Sequence, residues 1–338
     1  MVKLSVVVPV YNVEKYVARC LDSVTAYGGG IMDAGGDAGY EVIVVNDGST
    51  DSSGKIAEEY AARYPGLVRV INTPNAGVCR ARNLAIEKAQ GEYLYCIDSD
   101  DYLIDGGMEE ILQATKRGCD IWIFDAVSVR EDGSEIRYIK GCALDEHITL
   151  DEYPGLILEI PNVWNKLIRR SLFTDNGISF PDIWFEDLVA VLKLYPFARS
   201  VEYSPRPLYR YVQRPNSITN CKNTRRNLEI ITAVDEVIAF YKSRGEYERL
   251  YRELEYLAFY CQFLTASVRV NLAEWNTPVQ DELIDDYIKK FPTYRDNPYI
   301  AKMPALHKLL MVLFAKKKYA LIHFLMKTNN ILKRKNLY

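Results

Sequence analysis

Within its first hundred residues the chain passes four times from a short apolar run to a polar strand end, and amphipathic stretches separate the runs. The runs are Leu4-Ser5-Val6-Val7-Val8-Pro9, Glu41-Val42-Ile43-Val44-Val45-Asn46, Leu67-Val68-Arg69-Val70-Ile71 and Tyr93-Leu94-Tyr95-Cys96-Ile97. All are short and rich in β-branched or aromatic residues, which suits buried strands. Between them, Val13, Val17, Leu21 and Val24 share one face of a helix expected over 14–25. Further helices are expected from a cap at Asp51 or Ser52 to about Arg63, and over 78–89, while the glycines between Gly28 and Gly39 predict a loop. Strand alternating with helix implies a mainly parallel α/β sheet with helices on both faces. The C-terminal strand ends of such a sheet line one edge, where ligands bind.

That edge is predicted to be acidic. Asn12 follows the first strand, Asp47 and Asp51 the second, and Asp98-Ser99-Asp100-Asp101 the fourth. Three carboxylates in four positions cannot be buried unpartnered, and as hard oxygen donors they suit Mg²⁺ or Mn²⁺. Another carboxylate at the same edge can accept hydrogen bonds from a nucleobase or ribose. Plain acidic turns and helix caps are the competing readings of these segments. No GxGxxG follows the first strand, and Gly48 to Gly54-Lys55-Ile56 is one residue too long for a P-loop and lacks its Ser/Thr, which disfavours a dinucleotide dehydrogenase or an ATPase. Three histidines leave little material for a zinc site or a serine triad, and seven scattered cysteines read as reduced thiols.

Beyond Asp101 a helix over about 108–117 leads to the strand Asp120-Ile121-Trp122-Ile123-Phe124, and Asp132-Gly133 suggests a hairpin that makes the sheet mixed. A short helix ends near Ile160, Glu186-Asp187 opens a helix running to Leu194, and two strands are expected at 200–203 and 208–211. After about Asn223 the signal is helical, in segments near 224–243, 246–271, 278–290 and 301–336, so domains are expected over 1–220 and 221–338. After Asp296 come nine Lys/Arg and no acid, leaving 33 basic against 45 acidic residues before it. Basic residues interleaved there with Leu309, Leu310, Val312, Leu313, Phe314, Phe324 and Leu325 suit an anionic membrane face, or a helical pair packed on the domain. The acidic remainder argues against nucleic acid. With no apolar run long enough for a signal peptide or a spanning helix, the cytoplasm is the expected location, with membrane association through the tail.

Four segments in order, Ser5 to Asn12, Asn46 to Asp51, Asn75 to Asn83 and Asp98 to Asp101, resemble the motifs of family 2 glycosyltransferases of the GT-A type, over roughly residues 3–215. The resemblance implies a metal-dependent, inverting transfer of one sugar from a nucleotide-diphosphate donor, most often UDP-linked, to a glycan or lipid-linked glycan in bacterial surface polysaccharide synthesis. It places Pro9, Tyr11 and Asp47 at the base, Arg82 near the nucleotide, Asp98 at the ribose, and Asp100 with Asp98 on Mn²⁺ or Mg²⁺, with Asp101 behind them and with Asn12 and Ser99 among the donor-binding residues. Asp187, helped by Glu186, resembles the family's catalytic base; an acidic first turn answering the helix dipole is the alternative. Arg210 or Arg214 would supply a cation to the diphosphate, a solvated basic loop being the other reading. Trp164-Asn165-Lys166 resembles a segment near the acceptor, although Trp164 alone reads as core. The chain departs from the common pattern at Asn46, where aspartate is frequent, and in its long glycine segment. Two rivals stay open: a phosphatase or phosphotransferase with Asp98 as nucleophile and Asp100 as acid, and a non-catalytic nucleotide-binding scaffold.

Overall fold

The computed structural model describes residues 2–33, 38–142, 148–159, 161–214 and 224–328. The chain divides into two compact units, Met1–Asp182 with Glu186–Pro215, and Ile183–Phe185 with Asn216–Tyr338.

Among the described residues the first unit is built on one nine-stranded sheet. Its strands are β1 Leu4–Val10, β2 Tyr40–Asp47, β3 Val68–Thr73, β4 Tyr93–Cys96, β5 Tyr102–Leu103, β6 Ile121–Arg130, β7 Glu135–Ile139, β8 Lys166–Arg169 and β9 Val201–Gln213. They lie in the order β3-β2-β1-β4-β8-β6-β9-β5, with β7 paired to β6. β1 to β4 pair parallel, as the strand and helix alternation requires; β8 enters antiparallel between β4 and β6, and β6 pairs parallel with β9. Asp132-Gly133 turns β6 into antiparallel β7, with Gly133 at φ 84°.

Helices α1 Val17–Asp33, α2 Ser53–Arg63, α3 Val78–Lys88, α4 Gly107–Ala114, α5 Ser171–Thr174 and α6 Glu186–Leu194 complete the unit. Val17, Leu21 and Val24 of α1 are buried with Val6, Val8, Val42 and Val44 of the sheet, which accounts for the apolar stripe read from sequence.

Two expectations are corrected here. The glycines at 28–30 do not start a loop, because α1 runs through them to Asp33. Two of them serve packing: a Cβ on Gly28 would lie 2.5 Å from Tyr40 Oη and one on Gly29 2.5 Å from Tyr64 Cε1, whereas one on Gly30 would meet nothing within 4 Å. Tyr40 Oη accepts from Gly28 N–H at 2.9 Å and donates to the Val24 carbonyl at 2.7 Å, so the hydroxyl bridges two main-chain groups of the helix. The two strands expected at 200–203 and 208–211 are one, β9, which carries Pro205 and Pro207 past irregular register at Asp125.

The second unit is helical: α7 Glu229–Ser243, α8 Tyr251–Ala258, a π-helical stretch Phe259–Ala266, α9 Ser267–Ala273, α10 Pro278–Lys290, α11 Pro298–Ala301, α12 Ala305–Ala315 and α13 Tyr319–Thr328. Phe259, Phe263, Tyr287, Phe291 and Tyr294 form its aromatic centre, with Phe263 and Tyr287 centroids 5.2 Å apart. Trp184 belongs to this unit: its backbone N–H donates to Glu229 Oε2 at 2.6 Å and the Arg226 guanidinium lies 4.4 Å from its ring centroid. Leu310, Phe314, Ile322 and Met326 of α12 and α13 are buried, whereas Leu309, Val312, Leu321 and Phe324 are exposed. Among the described residues no helix is long and apolar enough to cross a membrane. The basic run Lys333-Arg334-Lys335 lies outside them.

Candidate active site

The C-terminal ends of β1, β2 and β4 meet at one edge of the sheet, and unequal strand lengths open a gap there. β4 stops at Cys96 opposite Val7, three residues before β1 ends. The Val7 carbonyl takes Ile97 N–H at 3.0 Å, so Pro9, two residues on, faces the same side, where no partner strand remains to want its missing N–H. Past it Tyr11 is 48% exposed and Asn12 is left-handed at φ 50°, a conformation that asparagine tolerates. Asn12 Oδ1 accepts from Thr50 N–H at 2.8 Å, which ties the first strand end to the second.

Asp47 is buried, and its two oxygens accept from Ala76 and Gly77 N–H, each at 2.8 Å. The carboxylate therefore fixes the loop entering α3 and keeps only its remaining lone pairs for a ligand. Gly48 and Gly77 make this possible, at φ 67° and 93°; a Cβ on Gly48 would lie 2.6 Å from Asn75 N.

α3 then delivers Arg82 to the centre of the site. Its side chain is 4% exposed and reaches three carboxylates: Nη2 to Asp98 Oδ1 at 2.7 Å, Nη1 to Glu186 Oε1 at 2.6 Å and to Asp187 Oδ1 at 3.2 Å. Burial works against the guanidinium charge, but Asp187, Asp98 and Glu186 more than offset it and raise its pKa further. The family resemblance set Arg82 near the nucleotide; the structure makes it the cation that joins the β4 end to the first turn of α6. Its Nε is buried without a hydrogen-bond partner among the described residues.

Asp187 is held from two sides, since Oδ2 accepts from Val163 N–H at 3.1 Å. Burial pushes its pKa up to about 7, with Arg82 opposing and Glu186 adding to the rise. The turn into α6 is strained, because Phe185 sits at φ 70°, an unfavourable conformation for a bulky residue.

At the end of β4 the three aspartates separate. Asp101 is buried, accepting from Tyr209 Oη at 2.6 Å and Val212 N–H at 2.7 Å, so both oxygens are engaged in structure. Ser99 is buried as well. Asp100 meets Arg214 Nε at 2.6 Å; burial and the Asp98 charge raise its pKa while Arg214 opposes. The Arg214 guanidinium also lies 5.5 Å from the Tyr16 ring centroid. Arg210 points elsewhere, to the Pro207 carbonyl at 3.1 Å and Glu135 at 3.5 Å. Of the two arginines considered from sequence, the structure brings Arg214 to the acids and not Arg210. Residues 215–217 of the expected closing loop lie outside the described residues.

Sequence reasoning missed Tyr209 and the Val163 amide. Tyr209 Oη donates to Asp101 and accepts from Asp98 N–H at 3.4 Å, and its ring stacks on Trp164 at 4.5 Å, which puts Trp164 in the core. Only the aromatic alternation around 209–211 hinted at the first, and a backbone donor carries no sequence signal.

The model for glycosyl transferase family 2 matches residues 5–189, more than half of the chain. The chain belongs to that family. EpsH of Bacillus subtilis, named as a glycosyltransferase, is 32% identical over 261 residues, spanning 75% of this chain and 73% of EpsH. The Staphylococcus aureus poly(ribitol-phosphate) β-N-acetylglucosaminyltransferase TarS is 28% identical over 221 residues, 63% of this chain and 36% of TarS. Residues 1–349 of TarS, solved with UDP-GlcNAc, superpose with a TM-score of 0.54 at 21% identity, covering 87% of this chain and 91% of that one. The fold is accordingly GT-A, and family membership makes the chain a glycosyltransferase. A phosphotransferase and a non-catalytic scaffold are thereby set aside. A mannosyltransferase of Pyrobaculum calidifontis, solved with GDP-Man and Mn²⁺, is 14% identical with a TM-score of 0.51.

Proposed function

We propose that this glycosyltransferase is metal-dependent and inverting, and moves one sugar from a UDP-linked donor to a glycan or lipid-linked glycan acceptor, with residues 1–220 as the catalytic domain. The observation that carries the reading is the Arg82 bridge from Asp98 to Asp187. One guanidinium thereby couples a carboxylate at the nucleotide edge to one at the start of α6, which keeps donor and base in register.

Tyr11, Asn12 and Pro9 would frame the base in the gap beside β1, with Asp47 behind them. Asp98 would accept the ribose hydroxyls through its free oxygen, and Ser99 would line the same turn. Asp98 and Asp100 fit a hard divalent cation: both present carboxylate oxygens, and their mutual repulsion is what raises Asp100 after burial. Asp100, with Asp98, would hold Mn²⁺ or Mg²⁺, and bound there the ion would offset charge on the departing diphosphate. Arg214, paired with Asp100, would supply the guanidinium that meets a phosphate oxygen of the donor.

Inversion is a single displacement, so a base must take the acceptor hydroxyl's proton on the side opposite the diphosphate. Asp187 is that base. A pKa pushed up to about 7 by burial leaves it ionised enough to accept a proton and basic enough to keep it. Glu186, sharing Arg82, steadies the charge as Asp187 becomes neutral.

The exposed faces of α12 and α13 suggest peripheral contact with an anionic membrane surface. Leu309, Val312, Leu321 and Phe324 lie among the exposed Lys308, Lys316, Lys318 and Lys327, which is the composition of an interfacial helix.

Calorimetric titration of UDP, GDP and dTDP, with and without Mn²⁺, into wild type, Asp100→Ala and Asp187→Asn tests the scheme. The expected result is UDP binding that needs Mn²⁺ and Asp100 and survives Asp187→Asn, together with loss of turnover in Asp187→Asn. Binding of none of the three nucleotides would refute the donor assignment.

A further inference from the structure

The peptide group between Asn162 and Val163 is gripped at both ends. Its N–H donates to Asp187 Oδ2 at 3.1 Å, and its carbonyl oxygen accepts from the Lys166 ammonium at 2.8 Å. Lys166 is fully buried and makes a second bond to Asn165 Oδ1 at 2.8 Å, while Asn165 Nδ2 donates to the Phe124 carbonyl at 3.2 Å. Gly141 closes over this arrangement, since a Cβ there would lie 2.3 Å from the Phe124 oxygen and 3.0 Å from Asn165 Nδ2. The turn itself is closed by Lys166 N–H on the Val163 carbonyl at 3.2 Å.

Burying an ammonium is costly, and a position that needed only volume would take leucine or methionine. The charge has an effect here that volume has not. A cation on a carbonyl oxygen polarises the peptide and makes its N–H a stronger donor, and the effect grows where water is excluded.

We propose that Lys166 is a positioning residue for sugar transfer, acting through the Asn162–Val163 peptide to orient Asp187 and strengthen the hydrogen bond on its carboxylate. The proposal rests on the reading of Asp187 as the base. The groups facing Asp187 are the Arg82 guanidinium from α3, Glu186 beside it, Asp98 from the end of β4 and the Val163 amide. Those facing Lys166 are Asp187, the Cys142 thiol and Glu159. Burial brings the Lys166 pKa down to about 7 against the pull of these three neighbours, so the ammonium is present on the acid side of that value, where Asp187 gains its proton. Removing the ammonium leaves Asp187 with Arg82 as its one cation in this set and with a weaker amide donor, so its affinity for a proton rises.

The test compares wild type with Lys166→Met by carbon NMR of aspartate-labelled protein, using Asp187→Asn to identify the resonance. The Asp187 titration midpoint is expected to move up by about one pH unit, the size of one weakened bond to a charged group. The Val163 amide is expected to exchange faster. In release of UDP from UDP-GlcNAc with Mn²⁺, the acid limb of kcat should move by the same amount while KM stays constant. An unmoved midpoint in folded Lys166→Met overturns the proposal. A moved midpoint with an unmoved acid limb leaves the grip of Lys166 on Asp187 standing but removes Asp187 as the base, so the two failures read differently. Should Lys166→Met not fold, Lys166→Gln keeps a donor without the charge, and an unmoved midpoint there overturns the proposal equally.

Discussion

Arg82→Met removes a cation from among three carboxylates, and the penalty should depend on pH in a direction that the structure fixes. Arg82 is 4% exposed, and Asp98, Glu186 and Asp187 lie 2.6 to 3.2 Å from its nitrogens with 28%, 18% and 19% of their side chains exposed. Breaking a buried pair by deleting one partner costs about 3–5 kcal/mol, and partial exposure of the acids argues for the lower end, about 3 kcal/mol at pH 8. The sign follows from linkage. Asp187 already titrates near 7 in the folded protein, above its ordinary range, so its ionisation opposes folding as pH rises from the usual carboxylate value toward 7. Without Arg82, which opposes that rise, the folded-state pKa climbs further. The variant is expected to regain stability relative to wild type as pH falls from 8 to 5.5, where Asp187 is protonated and the repulsion relaxes. Hydrogen exchange of peptides covering β1 and β4 reads the opening free energy of the sheet unit without interference from the helical one. A penalty under about 1 kcal/mol, or one equal at both pH values, would refute the account of Arg82 as a charge hub.

In wild type, turnover should rise with pH along an acid limb centred near 7 and set by Asp187 ionisation, and Asp187→Asn should lower kcat by at least about 10² with UDP affinity held within a factor of two. Tyr209→Phe deletes a hydroxyl that donates to Asp101 and accepts from Asp98 N–H, so the sheet unit should lose about 1–3 kcal/mol in hydrogen exchange, and Mn²⁺-dependent UDP binding should weaken. Gly28→Ala drives a methyl into the buried Tyr40 ring and should cost about 1–3 kcal/mol by the same measurement; a neutral result would contradict the packing of α1. Leu321→Glu with Phe324→Glu should abolish sedimentation with phosphatidylglycerol vesicles and leave UDP binding intact.

The sheet was legible because apolar periodicity and polar strand ends agree along the first hundred residues, each strand depending on its own letters. The acids at Asp47 and Asp98 to Asp101 were legible as a cluster, but their division of labour was not. Nothing in Asp98-Ser99-Asp100-Asp101 says that the last aspartate turns inward to Tyr209, because that depends on β9 arriving beside it from a hundred residues away. The continuation of α1 through Gly28 to Gly30 was hidden for a similar reason. Glycine breaks helices by default, and only the tyrosines lying across Gly28 and Gly29 make it the residue that fits there. The left-handed step at Phe185 contradicts its residue type, so no local preference could have indicated it.

The bond from Val163 N–H to Asp187 has a consequence for how this site can vary. A main-chain donor is indifferent to the side chain that carries it, apart from proline. The contact can therefore persist among relatives whose letters at 162 and 163 share nothing, and among substitutions that an alanine scan would score as silent. Lys166, reaching the same peptide from the other end, is where selection could act on that contact. Heredity would then record the grip on the base three residues away from where the grip is made.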